Sequence, residues 1–237
     1  MTRLRAVYTD LDGTLLGRGG SLLRDGEGAF TLLGARALEA CWRADVEVVP
    51  YSGRRRAQLA ENCRLLGLTS FVFEVGSGVV LDGETHFLTK MRFGDIEASG
   101  APALLGERFG LADHDPWHLE REVTHLLRGS ADVAAADALL RDAGLGHLRL
   151  IDNGALRRPG MRAFHLAPRE VSKAAGVAAH MRMRGYAAGE VVALGDSPED
   201  AAVAEAVGAF WMIGERTEAP NGPGVYEAVL TELAERR

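Results

Sequence analysis

The stretch RAVYTDLDGTLLG, residues 5–17, runs from a short apolar segment directly into two aspartates, Asp10 and Asp12, which Gly-Thr follows. Two carboxylates this close repel each other unless a cation or a proton lies between them. The apolar residues before Asp10 are typical of a buried strand. The stretch therefore predicts a strand whose carboxyl end carries a charged site.

Composition excludes several classes of protein. The chain has 237 residues and a net charge of −6, which argues against a nucleic-acid partner that needs a basic surface. No run approaches the roughly 20 apolar residues of a membrane span. The first residues lack the pattern of a signal peptide, so we expect a cytoplasmic protein. In that compartment Cys41 and Cys63 are predicted to be buried, reduced thiols.

Short apolar runs alternate with helical patterns at both ends of the chain, which predicts an α/β fold with a parallel sheet covered on both faces. The predicted strands are 4–9, 46–51, 71–75, 190–195 and 209–213, and the predicted helices are 32–44, 55–67, 171–184, 198–207 and 225–236. The rhythm changes in between, with a hairpin at Asp82-Gly83, helical stretches at 115–129 and 131–144, and strands at 147–153 and 161–168. We expect residues 1–82 and 166–237 to form the core and residues 83–165 an inserted α+β cap, called here the inserted segment.

Several polar side chains follow the predicted core strands or return to the core after the inserted segment. They are Asp10 and Asp12, Ser52 in YSGRR, Lys173 in REVSKAAG, and Asp196 and Asp200 in LGDSPED. Ligands of open parallel sheets bind outside the carboxyl ends of the strands. These side chains are therefore expected to converge on one crevice.

The carboxylates indicate phosphoryl chemistry. Asp10 can act as a nucleophile that forms an acyl phosphate, and Asp12 can act as general acid and base. Asp196 adds a further carboxylate, which favours an oxygen-ligated cation, and we expect Mg²⁺. Ser52 and the amides around Gly53 can cradle phosphate oxygens at a helix start.

The motifs DLDGT, SGR, a lone lysine that opens a helix, and GDSPED occur in that order and together resemble the four motifs of the haloacid dehalogenase-type phosphatases. The cap position resembles the type C2 cap of the Cof and sugar-phosphatase branch. The resemblance implies a Rossmann-like doubly wound core, Mg²⁺ and an aspartyl-phosphate intermediate. It assigns the nucleophile and a metal ligand to Asp10, acid/base catalysis and a backbone metal ligand to Asp12, phosphate binding to Ser52, Gly53 and Lys173, and metal binding to Asp196 and Asp200.

Two positions depart from the family pattern. Glu199 stands where relatives usually carry Asn in GDSxND, so a longer acidic side chain could itself ligate metal or tilt the site. Val75 stands where many relatives read Glu-Asn-Gly, so any polar role of that Asn is missing. Neither change removes a catalytic group.

Three function classes agree with these residues. The favoured class is a phosphomonoester hydrolase. A phosphotransferase or phosphomutase would share the aspartyl-phosphate and differ only in the acceptor. A non-catalytic receiver-like module also combines acidic residues, a phospho-accepting Asp and a Lys, but receivers are shorter and have no inserted cap.

The inserted segment would admit a small phosphorylated substrate and obstruct a folded protein. Its last third concentrates basic side chains, namely Arg149, Arg157, Arg158 and Arg162. They form either a solvated face or an anion clamp for a second acidic group of the substrate. The order and length of the cap look most similar to mannosyl-3-phosphoglycerate phosphatase, whose substrate carries a carboxylate. Arg162 is the candidate substrate residue because it opens the strand that returns to the core.

His114 and His118 lie four residues apart, a spacing that metal sites use. The sequence shows no third ligand beside them. They are therefore interpreted as surface or packing residues of the cap.

Overall fold

A computed structural model describes residues 2–156 and 158–236, so Arg157, one of the cap arginines, lies outside the described residues. The strands are β1 (Ala6–Thr9), β2 (Glu47–Pro50), β3 (Phe71–Phe73), β4 (Gly78–Leu81), β5 (Glu84–Phe87), β6 (Ala112–Asp113), β7 (His125–Gly129), β8 (Leu148–Ala155), β9 (Arg162–Pro168), β10 (Val191–Gly195) and β11 (Ala209–Met212). The helices are α1 (Leu33–Arg43), α2 (Arg56–Leu66), α3 (Phe93–Ala98), α4 (Ala101–Phe109), α5 (Val133–Asp142), α6 (Lys173–Arg184), α7 (Pro198–Ala201) and α8 (Asn221–Glu235).

A parallel sheet with the strand order β11-β10-β1-β2 lies at the centre. Its strands are short and buried on both faces, as the apolar runs predict. One face packs on α1, α2 and α8 through residues such as Leu38, Leu59 and Val225. The other face packs on α6 through Val177 and Met181. The predicted α/β fold with a doubly wound parallel sheet is confirmed.

Two antiparallel sheets complete the structure. Strands β3, β4 and β5 form a meander whose turn lies at Asp82-Gly83, as expected. The second sheet has the order β6-β7-β9-β8 and buries its own apolar cluster against α4 and α5, with Leu105, Leu140 and Phe164 at its centre. This separate core agrees with a cap over the inserted segment, and we retain residues 83–165 as the proposed boundary.

The predicted helix over 115–129 is wrong. Residues 125–129 form β7, which pairs with β9, and the residues before it form a loop. The backbone amides of Glu122, Val123 and Thr124 donate to the buried carboxylate of Glu74, so they are not available for helical hydrogen bonds. A contact between residues 50 positions apart therefore overrides the local helical pattern.

Other differences are small. The predicted helix over 198–207 divides into α7 and a 3₁₀ turn over Ala202–Glu205. Cys41 and Cys63 are buried and free. Within the described residues, no helix combines the length and the apolar character that crossing a membrane requires.

Candidate active site

The carboxyl ends of β1, β2 and β10 open into one cavity of about 750 Å³. The predicted site residues Asp10, Asp12, Ser52, Gly53, Lys173, Asp196 and Asp200 all line it. Asp10 follows the last residue of β1, Ser52 lies two residues beyond β2, and Asp196 follows β10 directly. The parallel arrangement of these strands therefore brings together side chains that are up to 190 positions apart in the chain.

Lys173 is the central cation of the site. It is the first residue of α6, whose N-terminus is capped by the Ser172 side chain. Its Nζ donates to Asp10 Oδ1 at 2.9 Å and to Asp200 Oδ1 at 2.6 Å. Although burial lowers the pKa of Lys173, the two carboxylates outweigh it and raise the pKa above its usual value. Lys173 is thus a protonated, immobilised ammonium group.

Asp10 is almost completely buried. Burial raises the pKa of its carboxyl to about 7, while Lys173 opposes the rise and Asp200 adds to it. Asp200 is held on its other side by Ser197, whose hydroxyl donates to Asp200 Oδ2 at 2.6 Å. The nucleophile candidate is therefore held in a dry, charged environment with one defined hydrogen-bond donor.

Asp196 brings a third carboxylate to the site. Its Oδ1 accepts a hydrogen bond from Thr14 Oγ1 at 2.8 Å, and burial raises the pKa of its carboxyl. Gly13 permits this approach, because it has a φ of +96° and an added Cβ would collide with the Asp196 carboxylate. One oxygen from each of Asp10, Asp196 and Asp200 lies within 4.8 Å of the others.

This donor set fits a divalent cation. Three carboxylates face one ammonium group, so negative charge is in excess. Their hard oxygen atoms are the ligands that Mg²⁺ prefers. The Asp12 carboxylate does not belong to this group of oxygens.

Asp12 instead forms a bidentate ion pair with Arg54. Arg54 Nε donates to Asp12 Oδ2 at 2.7 Å and Arg54 Nη2 donates to Asp12 Oδ1 at 2.5 Å. Asn62 accepts from the remaining nitrogen of Arg54. Sequence reasoning missed this role of Arg54, although the residue lies within the quoted SGR motif.

Ser52 and Gly53 form the loop that is the candidate for phosphate binding, and both line the cavity. Ser52 is buried, and its backbone amide donates to Val72 O. An added Cβ at Gly53 would come within 2.6 Å of His165 Nε2, so only glycine fits there. Arg121 donates two hydrogen bonds to the Gly53 carbonyl, each at 3.1 Å. Arg121 thus connects the inserted segment to the loop of Ser52 and Gly53, the candidate phosphate-binding loop, and no sequence motif pointed to it.

The departures from the family pattern have defined surroundings. Glu199 forms an ion pair with Arg149 at 3.2 Å, so its carboxylate is engaged by the inserted segment. Val75 is buried and has a φ of +52°. Its neighbour Glu74 is completely buried and binds the amides of residues 122–124.

Arg162 does not line the cavity. Its side chain is about half exposed and donates to Asp152 Oδ2 at 2.6 Å. Among the residues that the structure describes, the basic ones that line the cavity besides Lys173 are Arg54 and Arg121, together with His114. The structure therefore does not bring Arg162 to the place where the sequence predicts a clamp, because side chains alternate along β9 and the neighbouring Ala163 lines the cavity instead.

The parallel core, the nucleophile candidate at the end of β1 and the carboxylate cluster together define a phosphoryl-transfer enzyme. Solved structures with the same fold include the sucrose-phosphatase of Synechocystis in complex with sucrose and phosphate, with a TM-score of 0.70, 16% identity and 98% of each chain covered. Thermoplasma acidophilum 0175 has a TM-score of 0.69 at 16% identity, over 97% of this chain and 98% of that one. No family model matches the chain.

Relatives with higher identity specify the family. A phosphoglycolate phosphatase from Halorubrum lacusprofundi is 30% identical over 223 residues, which cover 91% of this chain and 84% of that protein. A phosphoglycolate phosphatase from Halobacterium salinarum is 28% identical over 228 residues, with 95% and 90% covered. The chain belongs to the same family as these phosphatases, and its fold is that of the haloacid dehalogenase-like hydrolases. The protein is a phosphatase that acts on a phosphorylated substrate.

Proposed function

We propose that the protein is a Mg²⁺-dependent phosphomonoester hydrolase in which Asp10 is the nucleophile. The observation that carries this proposal is the buried Asp10 carboxylate, held by Lys173 beside Asp196 and Asp200. Mg²⁺ bound among the three carboxylates would draw negative charge off the phosphoryl group. Lys173, which is fixed and protonated, would bind the same phosphoryl oxygens as a point charge.

The chain's own residues account for both half-reactions. An Asp10 oxygen attacks phosphorus while the bond to the leaving oxygen breaks, and Asp12 donates a proton to that oxygen. Asp12 then removes a proton from water, which attacks phosphorus and breaks the bond to Asp10, releasing inorganic phosphate. Asp12 must give up at least one hydrogen bond to Arg54 for these transfers, since both of its oxygens are engaged.

We further propose that the substrate carries a carboxylate close to its phosphate. Arg54 lines the cavity beside the phosphate-binding loop, and its guanidinium group keeps two N–H groups beyond those bonded to Asp12 and Asn62, which suit a carboxylate. The names of the relatives, phosphoglycolate phosphatase, agree with this chemistry. Phosphoglycolate is therefore the first candidate.

A glycosyl phosphoglycerate such as mannosyl-3-phosphoglycerate is the second candidate, in line with the resemblance of the C2-type cap. The cavity volume of about 750 Å³ favours it, because cavities of this size enclose ligands much larger than phosphoglycolate. Residues 83–165 would then act as the cap that encloses the sugar. Transfer of the phosphoryl group to a sugar hydroxyl instead of water remains the alternative reaction.

The test is a panel of phosphoglycolate, mannosyl-3-phosphoglycerate, glucose 6-phosphate and an aryl phosphate, assayed with Mg²⁺ and after chelation. We expect release of inorganic phosphate, a preference for the two substrates that carry a carboxylate, and loss of activity in EDTA. Asp10→Asn should reduce turnover by roughly 10³-fold or more. Full activity after thorough chelation, or near-normal turnover of the Asp10 variant, would refute the mechanism. Formation of newly phosphorylated sugars without release of inorganic phosphate would identify a phosphotransferase.

A further inference from the structure

A second group of metal-ligating side chains lies in the inserted segment, outside the cavity-lining carboxylates. Asp113 ends β6, His125 begins the neighbouring strand β7, and His118 lies in the loop that joins them. One donor atom of each residue lies within 4.8 Å of the other two. The sequence offered His118 only with His114, and the antiparallel pairing of β6 and β7 supplies the other two ligands.

The separation of His118 and Asp113 suits a shared ion. His118 Nε2 lies 3.6 Å from Asp113 Oδ2, which is too far for a hydrogen bond. Ligands bonded at about 2.0–2.1 Å to a tetrahedral ion lie about 3.4 Å apart. His118 is almost completely buried, and its other ring nitrogen has no hydrogen-bond partner among the described residues. Neither His118 nitrogen is therefore satisfied by the protein alone.

His125 is prepared as a ligand by its surroundings. Its ring stacks on Phe93 at a centroid distance of 3.8 Å, and its Nε2 donates to the Phe93 carbonyl at 3.3 Å. This bond places the proton on Nε2 and leaves a lone pair on Nδ1. Nδ1 is buried and without a partner in the part of the chain that the structure describes. Histidines that bind metal commonly donate their second N–H to a backbone carbonyl in this way.

Two imidazoles and one carboxylate form a donor set that suits zinc and poorly suits Mg²⁺. Asp113 is exposed, so a fourth position is open to water.

We infer that Asp113, His118 and His125 bind a zinc ion in the inserted segment, separate from the phosphatase carboxylates. The ion joins the two ends of the loop over residues 114–124. That loop reaches the core through Arg121, which donates to the Gly53 carbonyl, and through Glu122, which pairs with Arg56. The ion is thus structural, and it stabilises the loop that contacts the phosphate-binding loop.

The test uses the full chain, which is first stripped of metal and then kept in excess Mg²⁺. Mg²⁺ is expected to occupy the site formed by Asp10, Asp196 and Asp200. Titration with Co²⁺ should give the visible absorption of a low-coordinate site at one ion per chain, and Zn²⁺ should abolish it. Zinc bound after gel filtration should also be one ion per chain by elemental analysis. Zinc should raise the melting temperature, since it binds only the folded state.

Asp113→Asn and His125→Ala should each weaken zinc binding at least about tenfold, in the range known for lost ligands and their partners. His147→Ala is the matched control, because His147 is an exposed histidine of the same segment. Asp113→Asn alters an exposed side chain, so a circular dichroism spectrum like that of the wild type should show that its fold is intact. The inference is refuted if Co²⁺ gives no visible bands, or if Asp196→Asn removes the bound zinc while the Asp113 and His125 variants retain it.

Discussion

Replacing Lys173 by methionine tests the central charge arrangement of the site. The substitution keeps an unbranched side chain but removes the ammonium group that donates to Asp10 at 2.9 Å and to Asp200 at 2.6 Å. Each hydrogen bond to a charged group contributes about 1.5–3 kcal/mol, so the two bonds set a loss of about 3–6 kcal/mol. Removing one partner of a buried ion pair costs about 3–5 kcal/mol, which agrees.

The variant should therefore unfold at a lower urea concentration than the wild type in metal-free buffer. Its free energy of unfolding should be lower by about 3–5 kcal/mol. Mg²⁺ should restore part of this loss, since a cation among the carboxylates replaces the missing positive charge. The kcat/KM for an aryl phosphate should fall by roughly 10²–10³-fold, the scale for losing one donor to a developing negative charge.

Lys90→Met is the matched control, because Lys90 is the other lysine of the chain and is exposed. It should leave both stability and turnover unchanged. Turnover of Lys173→Met within tenfold of the wild type would refute the proposed contact between the ammonium group and the phosphoryl oxygens. A loss of the same size in the Lys90 variant would attribute the effect to general misfolding.

Three further outcomes follow from other parts of the structure. Burial lowers the pKa of His180 to about 4, so the unfolded chain binds the proton more readily than the folded chain. The free energy of unfolding should therefore fall by about 3 kcal/mol as the pH is lowered from 6.5 to 4. His180→Gln should remove this decrease, as measured by urea titrations. Glu74→Gln leaves buried backbone donors without a full acceptor and should cost about 2–3 kcal/mol in urea unfolding, whereas Glu84→Gln on exposed β5 should cost nothing measurable. Arg162→Ala breaks a partly exposed pair with Asp152 and should change kcat/KM less than about fivefold for carboxylate and aryl substrates, so a tenfold loss confined to the carboxylates would restore Arg162 as the clamp.

The core of the fold could be predicted because its signals are local. Buried strands and helices alternate at both ends of the chain, and polar residues such as Asp10 and Asp196 follow strands directly. The edge of a parallel sheet then brings those residues together whatever the details of the loops. The carboxylate cluster therefore follows from the sequence once the strands are recognised.

The contacts of the inserted segment could not be predicted in the same way. Glu74 accepts hydrogen bonds from backbone amides about 50 residues downstream, and no sequence pattern near Glu74 predicts these contacts. Arg121 resembles any basic residue of an amphipathic stretch until its bond to Gly53 O is known. Helical spacing at 115–129 was misleading for the same reason, since strand pairing with β9 decides that region.

The Glu74 carboxylate accepts hydrogen bonds from three consecutive backbone amides, and this contact limits how new substrate specificities can be engineered. The turn over residues 121–124 could not be exchanged alone, since its amides and Arg121 are matched to Glu74 and to the Gly53 carbonyl. A chimera should therefore take this turn and Glu74 from the same parent, so that donor and acceptor are inherited as one unit.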